Sequence, residues 1–123
     1  MLLITHAMEV TEALGRGAVL TAMNTAVLHD VVEDTDYTTD DLRNRGVDPV
    51  VAEALDILTQ RSGESYMAHV ERICAATGLA GDTARLVKAA DLKVNFARAD
   101  SDTLRERYEL SLPLLQRALA SAS

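Results

Sequence analysis

Residues 18–32 read AVLTAMNTAVLHDVV, and this stretch decides the fold class. Its apolar residues recur at steps of three and four, as one buried helix stripe requires: Val19, Leu20, Met23, Ala26, Val27 and Val31. Similar periods fill most of the chain, and no interior stretch alternates apolar and polar residues as a half-buried strand does. We therefore predict an all-α fold, a compact bundle of about six helices.

Capping residues and breaks set the predicted limits of these helices. The predicted spans are 6–14, 18–32, 39–43, 49–58, 65–76, 83–98 and 103–120. The residues expected to open them through side-chain oxygens that accept from free amides are Thr39, Asp48, Ser65 or Glu64, and Asp82. Gly46 and Gly63 mark breaks, and Pro113 is expected to kink or split the last helix.

Length, charge and cysteine content narrow the functional classes. The chain has 123 residues, enough for one domain with its own core. A net charge of −7 argues against a nucleic-acid partner, because lysine and arginine supply that affinity. The single cysteine, Cys74, and the missing secretory pattern predict a reducing, cytoplasmic setting. No membrane association is expected, since the apolar run at residues 1–4 is too short to span a bilayer.

The acidity is concentrated in one segment, residues 30–41, which contains no base. Its acids are Asp30, Glu33, Asp34, Asp36, Asp40 and Asp41, and without them the net charge is −1. His29 and Asp30 interrupt an apolar helix stripe, and Glu33 follows His29 by one turn. A bound divalent cation would offset part of this charge.

Two further groups of polar residues complete the candidate site. Lys88, Asp91 and Asn95 share a later helix, and His6 lies near the start of the first. Imidazole nitrogens with carboxylate oxygens suit manganese, iron or zinc. Spacing alone leaves other interpretations open: a satisfied core histidine at position 29, a solvated aspartate at 91 and an exposed histidine at 6.

The chain resembles the HD-domain hydrolases of the RelA/SpoT type, which degrade the alarmone (p)ppGpp. Residues 26–35, AVLHDVVEDT, are similar to the signature of that family. Residues 5–10, THAMEV, resemble its first-histidine segment, and residues 87–95, VKAADLKVN, resemble its lysine, aspartate and asparagine segment. Residues 58–66, LTQRSGESY, are similar to a stretch in small stand-alone members. The resemblance covers nearly the whole chain in the family's order.

The resemblance implies a role for each matching residue. It implies that one divalent ion, manganese with iron, zinc or magnesium as alternatives, is bound by His6, His29, Asp30 and Asp91. It implies that Glu33 and Asp34 serve hydrolysis, and that Asn95 lies in the nucleotide pocket. Glu33 is the first choice to orient or deprotonate the attacking water.

Phosphate substrates also require positive charge near the acids. Lys88, Lys93 and Arg61 are the candidates to contact substrate, with ordinary surface charge as the other interpretation. His69 matches no motif and is predicted at the surface.

The chain departs from the family pattern in two places. Ala7 replaces the usual proline, and the chain begins five residues before His6. The expected domain, residues 1–123, therefore lacks the N-terminal helix that precedes this histidine in larger members. The apolar face of such an incomplete bundle is compatible with a homodimer.

The sequence leaves three functions to compare. The first is a metal-dependent phosphohydrolase that removes pyrophosphate from (p)ppGpp, with a nucleotidase or another nucleotide phosphohydrolase as the alternative within that class. The second is a non-catalytic sensor of metal or nucleotide. The third, an HD-type oxygenase with two irons, needs more histidines than the three present.

Overall fold

The computed structural model describes residues 16–98 and 101–121, which form six helices and no strand. The helices are α1 (Arg16–Asp34), α2 (Thr39–Asn44), α3 (Pro49–Leu58), α4 (Tyr66–Ala75), α5 (Gly78–Arg98) and α6 (Asp102–Ser121). The predicted all-α class is confirmed. The helix predicted over residues 6–14 lies outside the described residues. Across the described ranges, no helix is both long and apolar enough to cross a membrane.

Two of the predicted helix caps are confirmed, and one is displaced by a residue. Asp48 accepts from the Val50 amide at 2.8 Å at the start of α3, and Ser65 Oγ accepts from the Ala68 amide at 3.1 Å at the start of α4. The cap of α2 is Thr38 and not Thr39. Thr38 and Asp41 accept from each other's amides in a capping box, which satisfies two amides and leaves Thr39 free to pack inward.

The start of α5 differs from its prediction. The helix begins at Gly78, whose φ of +76° is a conformation that favours glycine, and it does not begin at Thr83. Asp82 therefore lies inside the helix and is not its cap. A Cβ at Gly81 would lie 2.5 Å from the Ala76 carbonyl oxygen. Glycine there lets the first turn of α5 pack directly against the end of α4.

The core is organised around α5, which packs against α1, α3, α4 and α6. The largest fully buried apolar side chains of this core are Leu55, Ile73, Leu92, Leu115, Val51, Val70 and Val87. Helix α6 continues through Pro113 without being split, and Leu115 beyond it is fully buried. Truncating such a leucine to alanine costs about 2–5 kcal/mol of stability, so these side chains hold α5 in place.

The inner face of α1 matches the predicted stripe only in part: Ala26 is buried as predicted, whereas Leu20 and Val27 are not. Leu20 is 61% exposed and Val27 is 44% exposed. The face buried against α3 and α5 carries small and polar residues: Ala22, Thr25, Ala26 and His29. Because small side chains let helices approach closely, α1 packs near α5 and holds His29 between them. A second cluster, in which Leu28 and Val32 pack on Leu55, supports the carboxyl-terminal half of α1.

Candidate metal centre

His29 and Glu33 form the centre of the site on the last two turns of α1. The His29 side chain is 6% exposed, and its Nε2 lies 3.1 Å from Glu33 Oε1, as an i, i+4 pair on one helix face allows. This hydrogen bond is the main reason that the pKa of Glu33 is lowered, and the charge of Lys88 adds to it. Glu33 is therefore an ionised carboxylate at neutral pH.

Asp30 completes a compact group of donor atoms with these two residues. One nitrogen of His29 and one carboxylate oxygen each from Asp30 and Glu33 lie within 4.8 Å of one another. Asp30 and Glu33 are exposed at the rim, whereas His29 is buried. A nitrogen and two oxygens at this separation form part of a ligand set for a divalent ion of intermediate softness.

Helix α5 brings Asp91 and Lys88 toward the same face of α1. Burial raises the pKa of Asp91, while the charges of Lys88 and His29 lower it and those of Glu33 and Asp30 raise it. Burial also lowers the pKa of Lys88, against the attraction of Asp91 and Glu33. The two sequence segments singled out for chemistry thus lie within electrostatic reach of each other. The Asp91 carboxylate is nevertheless not a member of the 4.8 Å donor group.

One buried atom of the site lacks a hydrogen-bond partner. Within residues 16–98 and 101–121, Nδ1 of His29 is buried and unpaired. Leaving such an atom unpaired costs free energy unless another group binds it. Tyr66 Oη and Arg85 Nε are buried and unpaired in the same way among the described residues. The unpaired Nδ1 of His29 is therefore able to bind a cation, which is compatible with the ligand interpretation.

A cavity of about 290 Å³ opens beside the donor group. Its lining residues are His29, Val32, Glu33, Leu58, Thr59, Gln60, His69 and Lys88. The cavity therefore joins a carboxylate, two imidazoles and an ammonium group from three different helices, α1, α4 and α5.

The other predicted site residues that the structure describes, the predicted ligands Asp30 and Asp91 among them, do not line this cavity. Asp34 is exposed and Asn95 is partly buried on α5, and neither lines the cavity. Arg61 has an exposed side chain, although the next residue before it, Gln60, reaches the lining. His6 lies outside the described residues. The structure thus brings His29, Asp30, Glu33, Asp91 and Lys88 into one region, whereas Asp34, Asn95 and Arg61 lie outside the cavity lining.

His69 is the site residue that the sequence interpretation missed. It is only 2% exposed, so the prediction of a surface position is wrong. Its Nδ1 lies 3.2 Å from Arg72 Nη2 and 3.5 Å from Glu64 Oε1. Burial, with the charges of Lys88 and Arg72, lowers the pKa of His69 to about 4. Helical spacing carries the missing signal, because His69 lies four residues before the buried Ile73.

No family model, no curated protein and no solved structure matches this chain. The HD-type assignment therefore stays a prediction from the motifs quoted above. What the chain does has to be inferred from the chemistry of its own residues.

Proposed function

We propose that the chain is a metal-dependent phosphohydrolase that acts on a phosphorylated nucleotide, with (p)ppGpp as the first candidate substrate. One observation carries the proposal: His29 and Glu33, two of the three residues of the donor group, line a cavity that Lys88 also lines. Metal-ligand chemistry and a cation for phosphate are thereby found in one small space.

The residues present fit a divalent ion. His29 and Asp30 are the proposed ligands on α1, and Asp91 on α5 is the proposed ligand from the facing helix. The unpaired nitrogen of His29 and the raised pKa of Asp91 both show groups that would gain from a bound cation. His6 stays the proposed fourth ligand, and manganese stays the first candidate metal. When bound, a divalent ion lowers the pKa of coordinated water and polarises a phosphoryl oxygen.

Glu33 is proposed to act as the general base. Its lowered pKa keeps it ionised and able to accept a proton at neutral pH. The bond from His29 Nε2 fixes the position of the Glu33 carboxylate. The Glu33 side chain is 61% exposed, so its other carboxylate oxygen stays accessible. Proton acceptance by a positioned carboxylate contributes typically about 10²–10⁴-fold to a rate.

Lys88 is proposed to attract and orient the phosphate. The acids of the site repel a phosphorylated substrate, and the Lys88 ammonium is the cation that lines the cavity. Because it is partly buried, its charge is screened less by water than a surface lysine's charge. A nucleotidase uses the same arrangement, so the substrate has to be identified by experiment.

Hydrolysis of a substrate panel tests the proposal. The panel contains ppGpp, GTP and deoxynucleoside monophosphates, each with and without added manganese. We expect manganese-dependent turnover of ppGpp, lost by about 100-fold or more in Glu33→Gln. Asp91→Asn is expected to lose both hydrolysis and bound metal, measured by elemental analysis.

A matched control uses another acid of the same segment. Asp36→Asn removes one negative charge from an exposed residue outside the donor group and should leave hydrolysis unchanged. The proposal fails if Asp91→Asn keeps the metal content and the turnover of the parent chain. Tight binding of ppGpp without turnover would instead identify a sensor.

A further inference from the structure

The cavity beside the donor group contains an imidazole to which the proposed function gives no role. His69 is 2% exposed as a residue and nevertheless lines the cavity together with Lys88. It belongs to α4, whereas His29 belongs to α1 and Lys88 to α5. The three residues therefore reach the cavity from three helices.

A dense set of hydrogen bonds fixes one edge of the His69 ring. Arg72 donates through Nε to Glu64 Oε2 at 2.8 Å, through Nη1 to the Ile57 carbonyl at 3.0 Å and through Nη2 to the Thr59 carbonyl at 2.9 Å. The same Nη2 lies 3.2 Å from His69 Nδ1. Arg72 is thus held on several sides and presents N–H donors to the ring.

This arrangement selects one tautomer of His69. Two groups face Nδ1: Arg72 Nη2 at 3.2 Å, which only donates, and Glu64 Oε1 at 3.5 Å, which only accepts. The shorter contact is a hydrogen bond only when Nδ1 carries no proton, and it favours that tautomer. The lowered pKa of His69 agrees, because the ring is neutral at pH 7. A neutral imidazole without a proton on Nδ1 carries it on Nε2. Nε2 lies across the ring from Nδ1, and no hydrogen bond to Nε2 is found among the described residues.

We propose that His69 Nε2–H, together with Lys88 Nζ, binds an anionic phosphoryl oxygen of the substrate in this cavity. The inference rests on the proposed function and extends it by a binding residue outside the predicted motifs. A neutral N–H donor beside an ammonium group matches a phosphoryl oxygen, which accepts from both. Lys88 supplies charge, and His69 supplies a directed donor that stays neutral.

The same tautomer argues against a second metal ligand at this position. An imidazole binds a metal through a nitrogen that carries no proton. For Nε2 to do so in the neutral ring, the proton would have to move to Nδ1, where the N–H groups of Arg72 at 3.2 Å lie closer than the accepting Glu64 oxygen at 3.5 Å. The ring is therefore built to donate into the cavity.

Calorimetric titration of the full chain with inorganic pyrophosphate, at one equivalent of manganese, tests the proposal. The variants are His69→Phe, which removes the donor but keeps a flat ring, and His69→Gln, whose amide nitrogen takes the place of Nε2. Loss of a hydrogen bond to a charged group predicts binding weakened by about 10- to 100-fold in His69→Phe. His69→Gln should stay within about threefold of the parent chain, and guanosine binding should change in neither variant.

Kinetics and spectroscopy supply measurements that a merely structural role would not change. In His69→Phe we expect KM for the nucleotide to rise by a similar factor, with bound manganese unchanged. Two-bond proton–nitrogen couplings at pH 7 should show the Nε2–H tautomer of His69 in the parent chain. That spectrum needs no metal and no substrate.

The inference and the proposed function can fail separately. The role of His69 would be overturned if pyrophosphate affinity were equal in the parent chain and His69→Phe, or equally weakened in His69→Phe and His69→Gln. Loss of guanosine binding alone, or an Nδ1–H tautomer, would overturn it as well. Metal-dependent hydrolysis could persist in every one of these cases. Conversely, Gln-rescued pyrophosphate binding without any manganese-dependent hydrolysis would support the anion site and overturn the proposed enzyme.

Discussion

Arg85 and Lys88 lie one turn apart on α5, and these two cations differ in how many hydrogen bonds their charged groups make. Arg85 is 4% exposed, and its Nη1 donates to the carbonyls of Ile73 and Cys74 at 3.2 and 3.3 Å and to that of Ala76. Its Nη2 pairs with the Asp82 carboxylate. Arg85 thereby satisfies the carbonyls that α4 leaves unpaired at its end.

Lys88 has no comparable set of partners. Across the described residues its ammonium makes no hydrogen bond or ion pair; its Nζ lies 5.5 Å from the centre of the Tyr66 ring, and Asp91 and Glu33 act on it through their charges. Burial lowers its pKa, which means that the charged form is disfavoured there. Both terminal nitrogens of Arg85 are bonded, and only its Nε is unpaired across the described residues, whereas Lys88 faces a cavity. Lys88 is therefore better explained by a ligand than by stability.

Truncating Arg85 should give the largest effect. Arg85→Met keeps an apolar stem but leaves three carbonyls and Asp82 without their partner, which predicts a loss of roughly 3–5 kcal/mol in the free energy of unfolding. Guanidinium chloride unfolding, followed by far-ultraviolet circular dichroism, measures it. Arg61→Met, at an exposed position, should stay within about 0.5 kcal/mol of the parent chain. A loss as small as that in Arg85→Met would remove the contrast with Lys88.

His69 is a second buried polar group, and its Nδ1 is in contact with Arg72. Its pKa is about 4 in the folded chain, against an ordinary value of 6.5. Between these values the unfolded chain binds more protons, so stability falls as the pH falls from 6.5 to 4. The loss should reach about 3 kcal/mol at pH 4 and disappear in His69→Gln. Unfolding curves at half-unit pH steps measure it.

Glu64 should produce a second loss of stability, at a lower pH than the loss caused by His69. Bonds from Arg72 and from the Arg61 amide lower the pKa of Glu64 to about 2 from 4.5. Stability from this carboxylate is present above pH 4.5 and is lost as the pH falls toward 2. The His69→Gln variant should keep this lower transition while losing the upper one. A parent chain equally stable at pH 6.5 and 4.5 would contradict the neutral, buried His69.

The sequence predicted the helices better than their buried faces, and α1 shows why. Caps such as Asp48 and Ser65 act through neighbouring amides, so local spacing was enough to find them. Which face is buried depends on what packs against it. Counting apolar residues selected Leu20 and Val27, whereas close packing with α3 and α5 selected small residues and His29.

The same difference between local spacing and helix packing applies to the residues of the site. His29 and Glu33 are four apart on one helix, so their contact followed from the sequence. The approach of Lys88 and Asp91 to α1 depends on helix packing, and the resemblance, not spacing, brought them into one predicted site. His69 was missed because it matched no motif and its burial is set by Arg72 and Glu64, contacts that only the folded chain makes.

Removing the charge of Lys88 should give the smallest change in stability and one of opposite sign to Arg85→Met. Lys88→Met keeps the length of the stem and removes an ammonium group that burial disfavours, so the free energy of unfolding should rise by about 1 kcal/mol at pH 7. Hydrolysis of the nucleotide should fall at least tenfold in the same variant, because the phosphate loses its cation. Lys93→Met, on the same helix but outside the cavity lining, serves as the control and should change neither quantity by a comparable amount. Destabilisation of Lys88→Met by several kcal/mol would show that Lys88, like Arg85, holds the fold together, and its assignment to the site would then be lost.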